Sequence, residues 1–229
     1  MRDLDDSFGV GPDAIRLSRN ETESLCYKAA RGAGLPWGLA EEAAWAAGWL
    51  AGHGVDAASA LLRRFRDDDV TKALLAVDQA HVRAVGGGRL CPIRIGTALL
   101  DRFGADTGPA IDLQLDAAAE PVLLLPFLAR ISTASRKAIR IDLHGVSLVL
   151  AGGEPTDPAA VSRLATFACG SVRIVQAPDI ATPARRIAAR PATPGPVLRA
   201  LEALALRTTV PATEASRTGG AGAGISDND

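Results

Sequence analysis

The sequence predicts an α+β fold: an N-terminal helical unit, then a small mixed or antiparallel sheet with helices, a C-terminal helix and a glycine-rich tail. Three observations predict it. Residues 17–66 contain three short apolar-periodic stretches, separated by glycine turns. Residues 139–150 alternate apolar and polar on both sides of His144-Gly145. Ile111-Asp112-Leu113-Gln114-Leu115 and the stretch from Ser171 to Ala177 alternate in the same way.

The first helix starts at Ser18 or Asn20, either of which can cap it, with Glu21 and Glu23 at the end where the helix dipole favours acids. It carries Leu25, Tyr27 and Ala29 and stops at Gly32-Ala33-Gly34, with Pro36 just beyond. The second runs from about Trp37 to Ala51, with Leu39, Ala43, Ala46 and Leu50 on one stripe. The third runs from about Asp56 to Arg66 and ends in Arg63-Arg64-Phe65-Arg66, where cations suit a helix C-terminus.

Residues 70–83 are ambiguous, with helix as the reading kept. Gly86-Gly87-Gly88 is a break, Ile93–Leu100 reads as strand, and residues 99–103 read as a short helix. Ile111–Leu115 is a half-buried strand, and Pro121–Ser135 is a helix with Pro126 tolerated in its first turn. Ile139–Leu143 and Val146–Leu150 form a hairpin, because His144-Gly145 supplies the two positive φ angles of a tight turn. Asp157-Pro158 starts a short helix over 157–168, and Ser171–Ala177 is a further strand. The layout is then a mobile arm at 1–16, a helical unit at 17–69 and an α+β body at 70–177. A Pro- and Arg-rich linker at 178–196, a helix at 197–206 and a glycine-rich tail at 207–229 follow.

Composition bounds function. The chain has 229 residues, 25 Lys and Arg against 26 Asp and Glu, and a formal net charge of -1. This balance exerts no long-range pull on nucleic acid or an anionic membrane. The longest apolar run, Pro121 to Ala129, is far shorter than the roughly 20 residues a membrane span needs. No targeting segment is visible, so a cytoplasmic protein is expected. Cys26, Cys91 and Cys169 are widely spaced with no C-x-x-C pair, and with His53, His81 and His144 they make no metal pattern. They read as small buried hydrophobes. No cofactor motif of the Walker A or Rossmann kind is present, so the cofactor, if there is one, is unknown.

Three constellations stand out. The tail, with Arg217, Gly222, Gly224, Asp227, Asn228 and Asp229, has too few large apolar residues to fold alone. It is read as a solvated terminus, as a peptide that docks on a partner or on the chain's own body, or as an oxygen-rich cation or phosphate site. Glu41-Glu42 beside Trp37, Trp45 and Trp49 is the second. A carboxyl against aromatic rings can serve as acid or base, which makes Glu42 the candidate catalytic residue; the plainer reading is core or interface anchoring. Arg31-Gly32-Ala33-Gly34 is the third, an anion cradle or a helix C-cap. His144 is expected exposed in its turn, and His53 partly buried or capping.

The run from Leu17 to Ala43, with Lys28-Ala29-Ala30-Arg31-Gly32-Ala33-Gly34 and Trp37-Gly38-Leu39-Ala40-Glu41-Glu42-Ala43, resembles the start of the bacterial DUF3726 family. The tail from Val210 to Asp229 resembles that family's C-terminus. The resemblance implies a stand-alone bacterial protein of about this length, and no activity or site residue is carried over. It implies that the tail is a family feature, which places docking above a solvated terminus.

Two functions follow. The first is an accessory protein or oligomeric subunit of small-molecule metabolism, whose glycine-rich tail docks on a protein partner or on another copy. The second is a lyase, isomerase or hydrolase. There Glu42 would be the acid/base, Arg31 or Arg217 would grip a substrate carboxylate, and Asp227–Asp229 would close the site.

Overall fold

Ser18 starts the first helix with a complete capping box: its side chain accepts from the Glu21 N–H while Glu21 accepts from the Ser18 N–H at 2.7 Å. The structure, a computed structural model, describes residues 13–66, 75–78, 80–106 and 109–208. α1 spans Arg19–Gly32 and α2 spans Trp37–Gly52. α3 spans Ala57–Phe65, capped by Asp56, whose carboxylate accepts from Ser59.

The stretch read as an ambiguous helix is instead a hairpin where it is described, β1 (Leu75–Asp78) antiparallel to β2 (His81–Ala84). The stretch read as strand from Ile93 is instead helix α4 (Pro92–Phe103). Pro92 sits in its first turn, and Pro92, Ile95, Gly96, Leu99 and Phe103 are buried at helical spacing. Gly96 owes its place to packing: a Cβ there would lie 2.3 Å from the Phe127 ring. The apparent alternation of Ile93 and Ile95 reflects a helix buried on a broad face.

β3 (Asp112–Ala119) leads through a 3-10 turn (Pro121–Leu124) into α5 (Leu125–Ser135), with Pro126 in its first turn. β4 (Ile139–Leu143) and β5 (Val146–Ala151) form the expected hairpin, with φ of 47° at His144 and 78° at Gly145. β6 (Glu154–Pro155), α6 (Pro158–Leu164), β7 (Cys169–Gln176) and α7 (Gly195–Leu206) complete the described elements.

The sheet order is β1-β2-β3-β7-β4-β5-β6, with β2 and β3 parallel and every other neighbour antiparallel. This mixed sheet, following N-terminal helices, is the α+β class expected. One face is apolar, with Val82, Leu113, Leu115, Ile141, Leu148, Val172 and Ile174 buried. α4 covers Val82 and Leu113, and α5 packs on β4 and β5. The other face carries half-exposed charge pairs: Arg173 with Asp112, Arg140 with Asp142, and His81 with Asp116.

α1, α2, α3 and α7 form an outer helical layer that shares one hydrophobic core with α4, α5 and the sheet. α7 runs close to α1, and a Cβ on Gly32 would lie 1.8 Å from the Leu204 carbonyl oxygen. Residues 177–194 contain no helix or named strand and are pinned along their length. Arg185 reaches Glu154 at 3.9 Å, and the Ala188 side chain packs over Gly54. The Arg190 carbonyl accepts from Arg16, and Thr193 exchanges two backbone hydrogen bonds of 2.9 Å with Ile15.

Candidate functional site

Arg31 and Glu42, the described members of the sequence-derived site, lie on the outer face made by α1 and α2. Arg31 sits in the last turn of α1. Its guanidinium donates to the Leu35 carbonyl and lies 4.3 Å from the Trp37 ring centroid. Trp37, the first residue of α2, also meets Tyr27 at 6.2 Å between ring centroids. It is 64% exposed. The Arg31–Gly34 segment is thus a helix end that holds an exposed indole from behind.

Glu42 meets Arg130 of α5 at 3.4 Å. It is the Arg130 guanidinium, not Glu42, that lies over the Trp45 ring, at 4.8 Å. Trp45 is anchored edge-on against Phe127 at 5.8 Å. The opposite carboxylate of the pair, Glu41, points into a groove of about 360 Å³ between the helices. Asn20, Glu23, Ser24 and Tyr27 form one wall, and Glu41, Ala44 and Trp45 form the other. Glu23 is held by Arg19 at 2.7 Å and lies flat across Gly48.

These contacts join into one surface. Tyr27 lines the groove and touches Trp37; Trp45 lines the groove and carries Arg130. Arg31 and Glu42 therefore mark its two ends, each with its own partner. Arg217, Gly222, Gly224, Asp227, Asn228 and Asp229 lie outside the described residues. Sequence reasoning missed Arg130, which is 88 residues from Glu42 and has no local signal.

Two partly buried polar clusters lie elsewhere. His53, the C-cap of α2, stacks on Trp49 at 3.8 Å, donates from Nδ1 to the Trp49 carbonyl at 2.8 Å, and meets Glu154 through Nε2 at 3.2 Å. A carbonyl only accepts, so the Nδ1 proton is fixed by geometry. This pair ties α2 to the β5–β6 edge of the sheet. Arg63 holds Glu120 with two bonds, and Arg64 donates to the Cys91 sulfur at 2.9 Å. Both tie α3 to the end of β3 and the start of α4. His144 is exposed in its turn, as expected, with its ring against Phe167 at 4.9 Å.

Among the described residues, no three His, Cys, Asp or Glu side chains are grouped to hold a metal ion, and no helix is long and apolar enough to cross a membrane. No curated protein matches the chain. Among solved structures, the malate dehydrogenase of Pyrococcus horikoshii OT3 is similar at 11% identity and a TM-score of 0.42, over 64% of this chain. The chain spans 50% of that protein's length. Residues 17–91 match the family model described as protein of unknown function, DUF3726, and so support the family that the N-terminal sequence resembles.

Proposed function

We propose that this protein works by docking, as an accessory or oligomeric subunit in small-molecule metabolism, and that the α1–α2 face is its docking surface. One observation supports the reading above all: Trp37 is exposed yet braced by Arg31 and Tyr27 beside an open groove. Trp, Tyr and Arg are the residue types that anchor protein interfaces. An anchor already held in place loses little conformational freedom on binding.

The glycine-rich segment is the second element of the reading. Leu204, near the end of α7, backs onto Gly32, so the described chain reaches Thr208 beside the same end of α1 that carries Arg31. Residues 209–229 continue from that point, and glycine lets a backbone approach another surface closely.

The test compares the full chain, a chain ending at Arg207 and a Trp37→Ala chain. Oligomer size is measured by sedimentation, and co-purifying proteins are identified by mass spectrometry. Smaller oligomers or loss of a specific partner in both variants is expected. Equal size and equal recovery across all three would overturn the reading.

A further inference from the structure

We infer that the α1–α2 groove is occupied by the 185–190 segment of a second copy of this chain, with Ile187 as the inserted side chain and Arg186 as the cation that meets Glu41. The inference rests on the docking reading and names its partner. Ile187 is 99% exposed. Its chain neighbours touch the body: Arg185 lies 3.9 Å from Glu154 on one side, and Ala188 lies over Gly54 on the other. A large apolar side chain that is fully solvated, on a backbone whose neighbours touch the body, offers a knob for a hole.

The groove matches it in shape and charge. Tyr27 and Trp45 supply aromatic walls on opposite helices, and Ala44 leaves room between them. Arg19 holds Glu23, whereas no described residue bonds the Glu41 carboxylate. Arg186, beside the knob, likewise has no bonding partner among the described residues. Each copy thus carries, among the described residues, an acid in the groove and a base beside the knob that bond no other side chain. The chain stacks arginine on tryptophan twice on this same face, Arg31 on Trp37 and Arg130 on Trp45. Since every copy has both features, a two-fold dimer satisfies each of them once per copy.

Sedimentation equilibrium of the full chain gives the test. The wild type is expected to self-associate. Ile187→Asp, Glu41→Arg and Arg186→Glu are each expected to raise the dimer dissociation constant at least about 30-fold, the scale of an interface anchor. All three positions are exposed, and unchanged thermal melting would confirm intact folding. Mixing the Glu41→Arg chain with the Arg186→Glu chain is expected to restore a heterodimer, because each groove then faces a strap of opposite sign. A monomeric wild type, an unchanged constant for Ile187→Asp, or no heterodimer in the mixture would overturn the inference. If Trp37→Ala alone abolishes assembly while Ile187→Asp does not, the inference fails and the docking reading stands. If Trp37→Ala and the chain ending at Arg207 assemble and capture partners normally while Ile187→Asp and the mixture behave as expected, the Trp37 reading fails instead.

Discussion

Glu120 binds Arg63 through both carboxylate oxygens, at 2.7 and 2.8 Å, from a left-handed backbone position with φ of 46°. A non-glycine residue rarely adopts that conformation, and Glu120 is only 3% exposed. Its N–H is used as well, donating to the Ala168 carbonyl at 2.7 Å. The strain is therefore offset by bonds that fix α3 against the end of β3.

Removing the carboxylate should be costly. Glu120→Ala leaves Arg63 without its two-point partner, and breaking a buried pair costs about 3–5 kcal/mol. Arg63 keeps some water contact, so about 2–4 kcal/mol is expected here. Urea denaturation checks this, and a loss below about 0.5 kcal/mol, the scale of an ordinary surface change, would contradict it.

Two glycines in the outer layer should respond unequally. A Cβ on Gly32 meets the Leu204 carbonyl, which is backbone and cannot step aside. Gly32→Ala should therefore destabilise by about 1–3 kcal/mol through overpacking. The nearest neighbour of a Cβ on Gly48 is the Glu23 side chain, at 1.9 Å, and that chain can swing away. Gly48→Ala gains up to about 1 kcal/mol of helix propensity and should lie near neutral. Thermal melting of the two variants should separate them clearly; equal losses would mean that α1 and α7 are free to move apart.

The cysteines should react unequally. Burial pushes the Cys26 thiol up to about 12, with Asp56 and Glu23 adding to the rise. Cys91 is also buried, whereas Cys169 is exposed on β7. An alkylating reagent at pH 8 should label Cys169 first and leave Cys26 unlabelled until the chain unfolds. Rapid labelling of Cys26 in the native protein would refute this.

The cap of α1 should be acid-sensitive. Hydrogen bonds from the Ser18 N–H and then the Ser18 hydroxyl hold the Glu21 carboxyl below its ordinary value. A carboxyl depressed in the folded state stabilises above its unfolded pKa, and that stabilisation is lost as pH falls through the folded one. The melting-temperature gap between wild type and Glu21→Gln should thus be full at neutral pH and close as pH drops below the ordinary glutamate range. A gap that is constant with pH would show that the carboxylate is not the group responsible.

The sequence by itself determined the features whose causes lie within about four residues. The Asp157 cap and the His144-Gly145 turn are local hydrogen bonds and backbone angles, so residue type and spacing specify them; the same locality narrowed the first cap to Ser18 or Asn20, of which Ser18 makes the box. Alternation at 139–150 fixed a hairpin because one face of the sheet is buried and the other is wet. Glu42 and the tryptophans were legible as one constellation for the same reason, since they sit on one helix, whereas Arg31 read as a separate helix end. Tertiary structure decided the rest. Ile93–Leu100 read as strand, yet it lies in a helix whose Gly96 lets Phe127, 31 positions further along the sequence, pack against it. Arg130 claimed Glu42, and Glu154 claimed His53 from 101 residues away. Leu75–Asp78 and His81–Ala84 became strands because β3 offered β2 a neighbour to pair with, which no period there announced. Such partners carry no local mark: packing chooses them, and packing depends on which surfaces the whole chain brings together.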